Sequence, residues 1–158
     1  MGVPSKLVRC LLSTKGSYLL LIRLAEAQKI RVGALGTIEF RAGFYAYVGS
    51  AMGGFGSRLR RHLRKDKKAH WHIDYLLEQA SVEYVIISAS NMRTECAIAR
   101  TLSLGFASVA GFGSSDCRCR SHLFYASGEE DIKDGIIRTL SLFGYLVRLL
   151  RAADVQDP

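Results

Sequence analysis

Apolar residues crowd into short blocks over the first fifty positions and then space out into helical stripes. Residues 18–24 read Tyr-Leu-Leu-Leu-Ile-Arg-Leu, a nearly unbroken aliphatic run that predicts a central strand. Residues 7–13 form a shorter apolar run, ended by a turn at Thr14-Lys15-Gly16. Residues 29–32 follow the turn at Glu26-Ala27-Gln28 and are expected to pair with the central strand. Further strands are predicted over 37–40 and 44–48, with Gly33, Gly36 and Gly43 as punctuation. Connections this short favour antiparallel pairing, because parallel strands need long crossovers.

The pattern changes after Gly56. Ser57 is the expected N-cap of a helix whose Leu59 and Leu63 make an apolar stripe. A second helix is predicted over 71–79, with Ile73, Leu76 and Leu77 facing inward, and a buried strand over 82–88. Asn91 is placed as the cap of a third helix carrying Glu95, Ala99 and Leu102. Residues 105–120 read as a glycine- and serine-rich loop, and 121–126 as a last strand. A long amphipathic helix is predicted over 131–152, presenting Ile132, Ile136, Ile137, Leu140, Phe143, Leu146, Val147 and Leu150, with Gly144 interrupting the face. Packing against the sheet is the favoured use of that face, and a homodimer contact the alternative. The expected fold is therefore a single α/β (α+β) domain over residues 1–158, a small, mainly antiparallel sheet flanked by helices.

At 158 residues, 49% of them hydrophobic, the chain is long enough for a substantial core. The net charge of +8 favours a polyanionic partner such as nucleic acid. No apolar run is long enough to span a bilayer, and the first residues lack the order of a signal peptide. Four cysteines without a scaffold-like spacing point to a reducing cytoplasm.

The densest chemistry lies in Gly43-Phe44-Tyr45-Ala46-Tyr47-Val48-Gly49-Ser50-Ala51, the glycine-rich hinge after it, and the basic helix beyond. Arg58, Arg60, Arg61, Arg64, Lys65, Lys67 and Lys68 fall within eleven positions. Arg58 and His62 stand four apart, on one helix face, where they can clamp a phosphate and handle a proton beside it. Arg60, Arg61, Arg64, Lys65, Lys67 and Lys68 are the candidate nucleic-acid contacts. The glycines do not follow the order of a dinucleotide or nucleotide-triphosphate loop, so a nucleotide cofactor is not expected. Cys117-x-Cys119-x2-His122, joined by His70 or His72, has the donors for a tetrahedral zinc site. Its spacing departs from Cys-x2-Cys, and a tight loop of small buried thiols is the favoured reading. His72 and Asp74 are expected to line a cleft, with the loop bearing Ser114 and Asp116 closing over it.

Taken together, these residues resemble the GIY-YIG nuclease superfamily. Gly16-Ser17-Tyr18 matches the first half of its signature and Tyr47-Val48-Gly49 the second, followed by Arg58, His62 and the helix-borne Glu95. A functionally uncharacterised archaeal and bacterial branch of it is closer still, through His70-Trp71-His72-Ile73-Asp74-Tyr75-Leu76, Glu95-Cys96 and Gly111-Phe112-Gly113-Ser114-Ser115-Asp116-Cys117. The signature halves lie roughly thirty residues apart, more than in the superfamily, so an extra hairpin is expected between them. The resemblance implies a metal-dependent endonuclease acting on DNA in preference to RNA, with DNA repair as one setting, or else a non-catalytic nucleic-acid-binding module with a degenerate cleft. It also implies catalytic roles for Tyr18, Tyr47, Arg58, His62 and Glu95. Glu95 would hold one Mg²⁺ or Mn²⁺.

Overall fold

The computed structural model describes residues 2–143 and 147–156. The chain opens with helix α1 (Ser5–Leu12), then strands β1 (Gly16–Leu24), β2 (Gln28–Arg31), β3 (Thr37–Phe40) and β4 (Gly43–Ala51). Helices α2 (Phe55–Leu63) and α3 (His72–Leu77) precede strand β5 (Ser81–Ala89) and helix α4 (Glu95–Leu102). The remainder comprises β6 (Ala107–Ser108), β7 (Leu123–Ala126), α5 (Glu129–Leu142), β8 (Val147–Arg151) and α6 (Ala152–Gln156). Six strands form one sheet in the order β6-β7-β4-β1-β5-β8, and each neighbouring pair runs antiparallel.

The position of β1 explains its composition. It lies between β4 and β5, and helices cover the sheet on both sides. Leu19 and Leu21 therefore pack with Ile98 and Leu102 of α4 and with Ile132, Ile136 and Leu140 of α5. Tyr18, Leu20, Ile22 and Leu24 pack with Val8, Leu12, Phe55, Leu59, Leu63, Ile73 and Leu76 from the helices of the opposite layer. The five aliphatic side chains of β1 are withdrawn from water, which contributes about 1.5–3 kcal/mol apiece before entropy is counted. A strand with no polar side cannot alternate.

Several boundaries differ from the sequence reading. Residues 29–32 do not join the central strand: β2 pairs with β3 in a separate hairpin, Gln28 opposite Phe40 and Arg31 opposite Thr37. That hairpin is the extra element expected between the signature halves. The apolar run near the start is α1, with Val8 and Leu12 buried. Helix α2 begins earlier than Ser57, because Gly54 adopts φ 114° at the cap and the Phe55 N–H is taken by the Thr14 carbonyl. Thr94, and not Asn91, occupies the cap of α4.

The helix predicted over 131–152 is not one element. α5 ends at Leu142, and Val147–Arg151 turns into the edge strand β8, pairing with β5 from Ser88 opposite Val147 to Tyr84 opposite Arg151. The bare edge of β5 offers a row of backbone hydrogen-bonding groups that a short apolar segment can satisfy as a strand. Gly144 and Leu146 lie outside the described residues. The continuous face proposed for a homodimer is thereby divided: Ile132, Ile136 and Leu140 are in the core, and Leu150 is buried on β8. Among the described residues, no helix is long and apolar enough to cross a membrane.

Candidate functional site

Gly16-Ser17-Tyr18 and Tyr47-Val48-Gly49 meet because β1 and β4 are hydrogen-bonded neighbours, with Tyr18 opposite Gly49 and Leu20 opposite Tyr47. The Tyr18 ring lies against the backbone of Gly49, where any β-carbon would land on it. The glycine of Tyr47-Val48-Gly49 is thus required by close packing. One residue before Tyr18, the buried Ser17 hydroxyl makes a 2.7 Å hydrogen bond with the hydroxyl of Thr94. That bond ties β1 to the start of α4, whose first residue is Glu95.

From the other side, α2 contributes His62, which is buried. Its Nε2 lies 2.6 Å from the Tyr18 hydroxyl, and its ring centre 6.0 Å from that of Tyr47. Burial drives the His62 pKa down to about 3; the neighbouring Asp74 opposes this, while Lys67, Arg58 and Arg61 add to it. The ring is consequently neutral near pH 7. Burial also raises the Tyr18 hydroxyl well above its ordinary value, reinforced by Tyr47 and opposed by Arg58. Tyr47 is raised too, chiefly by burial and then by Glu95, with Arg58 again opposing. Glu95 is raised by burial and by Asp116, while Arg93 and Arg58 pull it down. Tyr18, Tyr47, Arg58, Glu95 and Asp116 therefore share one electrostatic neighbourhood, which their chain positions alone do not bring together.

The basic segment divides into exposed charges and charges committed to the fold. Arg60, Arg64, Lys65 and Lys68 are exposed. Arg61 instead forms a two-pronged ion pair with the buried Asp74, at 2.9 and 3.0 Å, and its guanidinium lies 4.1 Å from the centre of the Trp71 ring. Lys67 donates to the carbonyls of His62 and Arg64 at 2.7 and 2.8 Å, closing the end of α2. Arg58 rests on the same indole, 4.7 Å from its centre. Of the predicted nucleic-acid contacts, Arg61 and Lys67 are thus engaged in holding the fold.

The predicted cleft residues separate in the same way. Asp74 does not line the cleft with a free carboxylate: it accepts from Arg61 and from the backbone N–H groups of His70 and Trp71. Burial alone would raise this carboxyl, but Arg61 and those N–H groups outweigh it and hold the pKa below the usual carboxylate range. His72 Nδ1 accepts the Gly113 N–H at 2.9 Å, so α3 and the loop between β6 and β7 are joined beside Tyr47. Ser114 is buried, and its carbonyl accepts from the Cys117 N–H. Asp116 is exposed, and its charge helps to raise the Glu95 carboxyl. A cavity of about 360 Å³ lies between α2, α3 and α6, with His62, Asp74, Lys65, Lys67 and Glu78 among its walls.

The cysteine loop is more than a tight turn of small thiols. Cys96, Cys117, Cys119 and His122 bring four ligand atoms within 4.8 Å of one another, an arrangement able to hold a metal ion. Neither His70 nor His72 belongs to this group. The member that the Cys-x-Cys spacing misses is Cys96. It stands beside Glu95 in the sequence, and no spacing rule links it to a loop roughly twenty residues away.

This is a mixed α+β fold with an antiparallel sheet, a grouping of tyrosine, histidine, arginine and carboxylate side chains, and a thiol-rich cluster beside it. The chain belongs to the family described as a domain of unknown function, DUF123, whose model matches residues 17–145 and so includes every residue of both constellations. No curated protein and no solved structure matches the chain.

Proposed function

We propose that this protein is a metal-dependent endonuclease that hydrolyses phosphodiester bonds, acting on DNA in preference to RNA. The observation that carries the reading is the 2.6 Å contact between Tyr18 and a neutral His62, in the field of Tyr47, Arg58 and Glu95. Hydrolysis needs a water deprotonated as it attacks phosphorus, countercharge for the developing negative oxygens, and a stabilised leaving oxygen. A buried tyrosine is a poor base alone. Its hydroxyl can donate to the neutral His62 Nε2, which fixes its orientation, and it acts as the base as Arg58 favours the phenolate. Tyr47 orients the water or a phosphate oxygen, and Arg58 meets the phosphate. The exposed Arg60, Arg64, Lys65 and Lys68 extend a positive surface for the backbone to either side.

Glu95 and Asp116 suit a hard divalent cation. The Asp116 carboxylate raises the cost of ionising Glu95, and an oxygen-seeking ion relieves it. When bound, Mg²⁺ or Mn²⁺ would polarise a phosphate oxygen and lower the pKa of a coordinated water.

A second reading, a nucleic-acid-binding module that does not cut, is favoured by one observation: both tyrosines are held strongly in the protonated state. One experiment separates the two. Labelled duplexes, flaps, junctions and RNA hairpins are incubated with Mg²⁺ or Mn²⁺, and with chelator. Metal-dependent cutting that disappears in Glu95→Ala while binding persists supports the nuclease. Binding without cutting on every substrate supports the module.

A further inference from the structure

We infer that Cys96, Cys117, Cys119 and His122 bind a structural Zn²⁺ ion that holds Glu95 and Asp116 in place. The donors come from two separate parts of the chain. Cys96 lies in the first turn of α4, while Cys117, Cys119 and His122 lie in the irregular stretch between β6 and β7. His122 Nε2 is 3.5 Å from Cys117 Sγ and 4.0 Å from Cys96 Sγ. A tetrahedral zinc ion with ordinary bond lengths sets sulfur and nitrogen ligands about 3.6 Å apart, and two sulfurs about 3.8 Å apart. The cluster, all of it within 4.8 Å, needs only a slight contraction. Disulfide bonding is a different geometry, with sulfurs about 2.05 Å apart, and all four cysteines are free. Three thiolates and one imidazole are soft-to-borderline donors, which select zinc over Mg²⁺ or Mn²⁺.

The surroundings give the ion a purpose. Residues 109–122, between β6 and β7, carry almost no regular structure, unusual for a long segment in a compact fold. A metal staple supplies the cohesion that a ladder would otherwise provide. Each of these carboxylates immediately precedes a cysteine of the cluster, as Glu95-Cys96 and Asp116-Cys117. The opposite nitrogen of His122, Nδ1, lies 3.7 Å from Glu95 Oε2. Zinc on Nε2 leaves Nδ1 as the protonated nitrogen facing Glu95, the usual way an outer carboxylate orients a metal-bound imidazole. The ion would thus fix both carboxylates relative to Tyr18 and Tyr47.

The test is independent of whether the protein cuts nucleic acid. The full chain is purified under reducing conditions without chelator, its metals are measured by elemental analysis, and apoprotein is refilled with Zn²⁺ or Co²⁺. The expected result is about one zinc per chain, and visible absorption of Co²⁺-loaded protein typical of tetrahedral thiolate ligation. Cys117→Ser and Cys119→Ser should each lose most of that zinc, whereas Cys10→Ser and Glu95→Ala should keep it. Circular dichroism of each variant identifies any that fails to fold, and for those the Co²⁺ spectrum of the parent decides. Protein that neither carries nor takes up zinc, that holds stoichiometric iron or copper instead, or that retains zinc in the folded Cys117→Ser, Cys119→Ser double variant overturns the assignment.

Discussion

His62 gives the sharpest quantitative expectation. Its imidazole titrates near 3 in the folded protein, against about 6.5 in an unfolded chain. The folded state therefore excludes a proton that the unfolded state binds as soon as the pH drops below 6.5. The sign follows: this group's contribution to stability is complete above pH 6.5 and is lost progressively as the pH falls toward 3. The slope cannot exceed about 1.4 kcal/mol per pH unit for one proton. Integrated from about pH 7 to pH 5, the loss is about 2 kcal/mol. His72 is also lowered by burial, so the parent's total pH dependence is larger than the share due to His62. The share is isolated by comparing the parent with His62→Gln, which keeps a polar group facing Tyr18 but does not titrate. Urea unfolding at about pH 7, 6 and 5 should show the parent losing about 2 kcal/mol more than the variant over this range. Equal slopes for the two proteins would mean that burial does not hold His62 neutral in the fold, and Tyr18 would lose the acceptor that orients its hydroxyl.

Gly49→Ala should destabilise the protein by about 1–3 kcal/mol through overpacking against Tyr18, measured as a lowered urea midpoint with an unchanged m-value. Asp74→Ala should cost about 3 kcal/mol, because it strands the partly buried Arg61 and two backbone N–H groups. A loss under about 1 kcal/mol in the same assay would show that the pair is incidental. Charge reversal at Arg60 and Arg64 should weaken binding to DNA of any sequence and reduce the log–log salt slope by about one for each phosphate no longer neutralised, while leaving Tm nearly unchanged. Fluorescence anisotropy across a salt series checks it; an unaltered slope places the nucleic-acid surface elsewhere.

The local pattern by itself determined most strands and helices and the antiparallel sense of the sheet. A run such as residues 18–24, apolar at nearly every position, has few places to go other than the middle of a covered sheet. The glycines at 16 and 49 stood out in the sequence, and the close approach of neighbouring atoms at both is a physical reason for them. Tertiary structure decided whatever depended on a partner distant in the chain. Val147–Arg151 became a strand because β5 had an open edge, and nothing in that short segment announces it. Arg61 and Lys67 looked like free cations until Asp74 and the end of α2 claimed them. Cys96 entered the sequence reading only as the neighbour of Glu95, and became a ligand candidate once the fold delivered two thiols and an imidazole to it. Charge and periodicity are properties of a segment. A ligand set, an ion pair and a sheet edge are properties of two segments meeting, and their geometry exists only once the chain has folded.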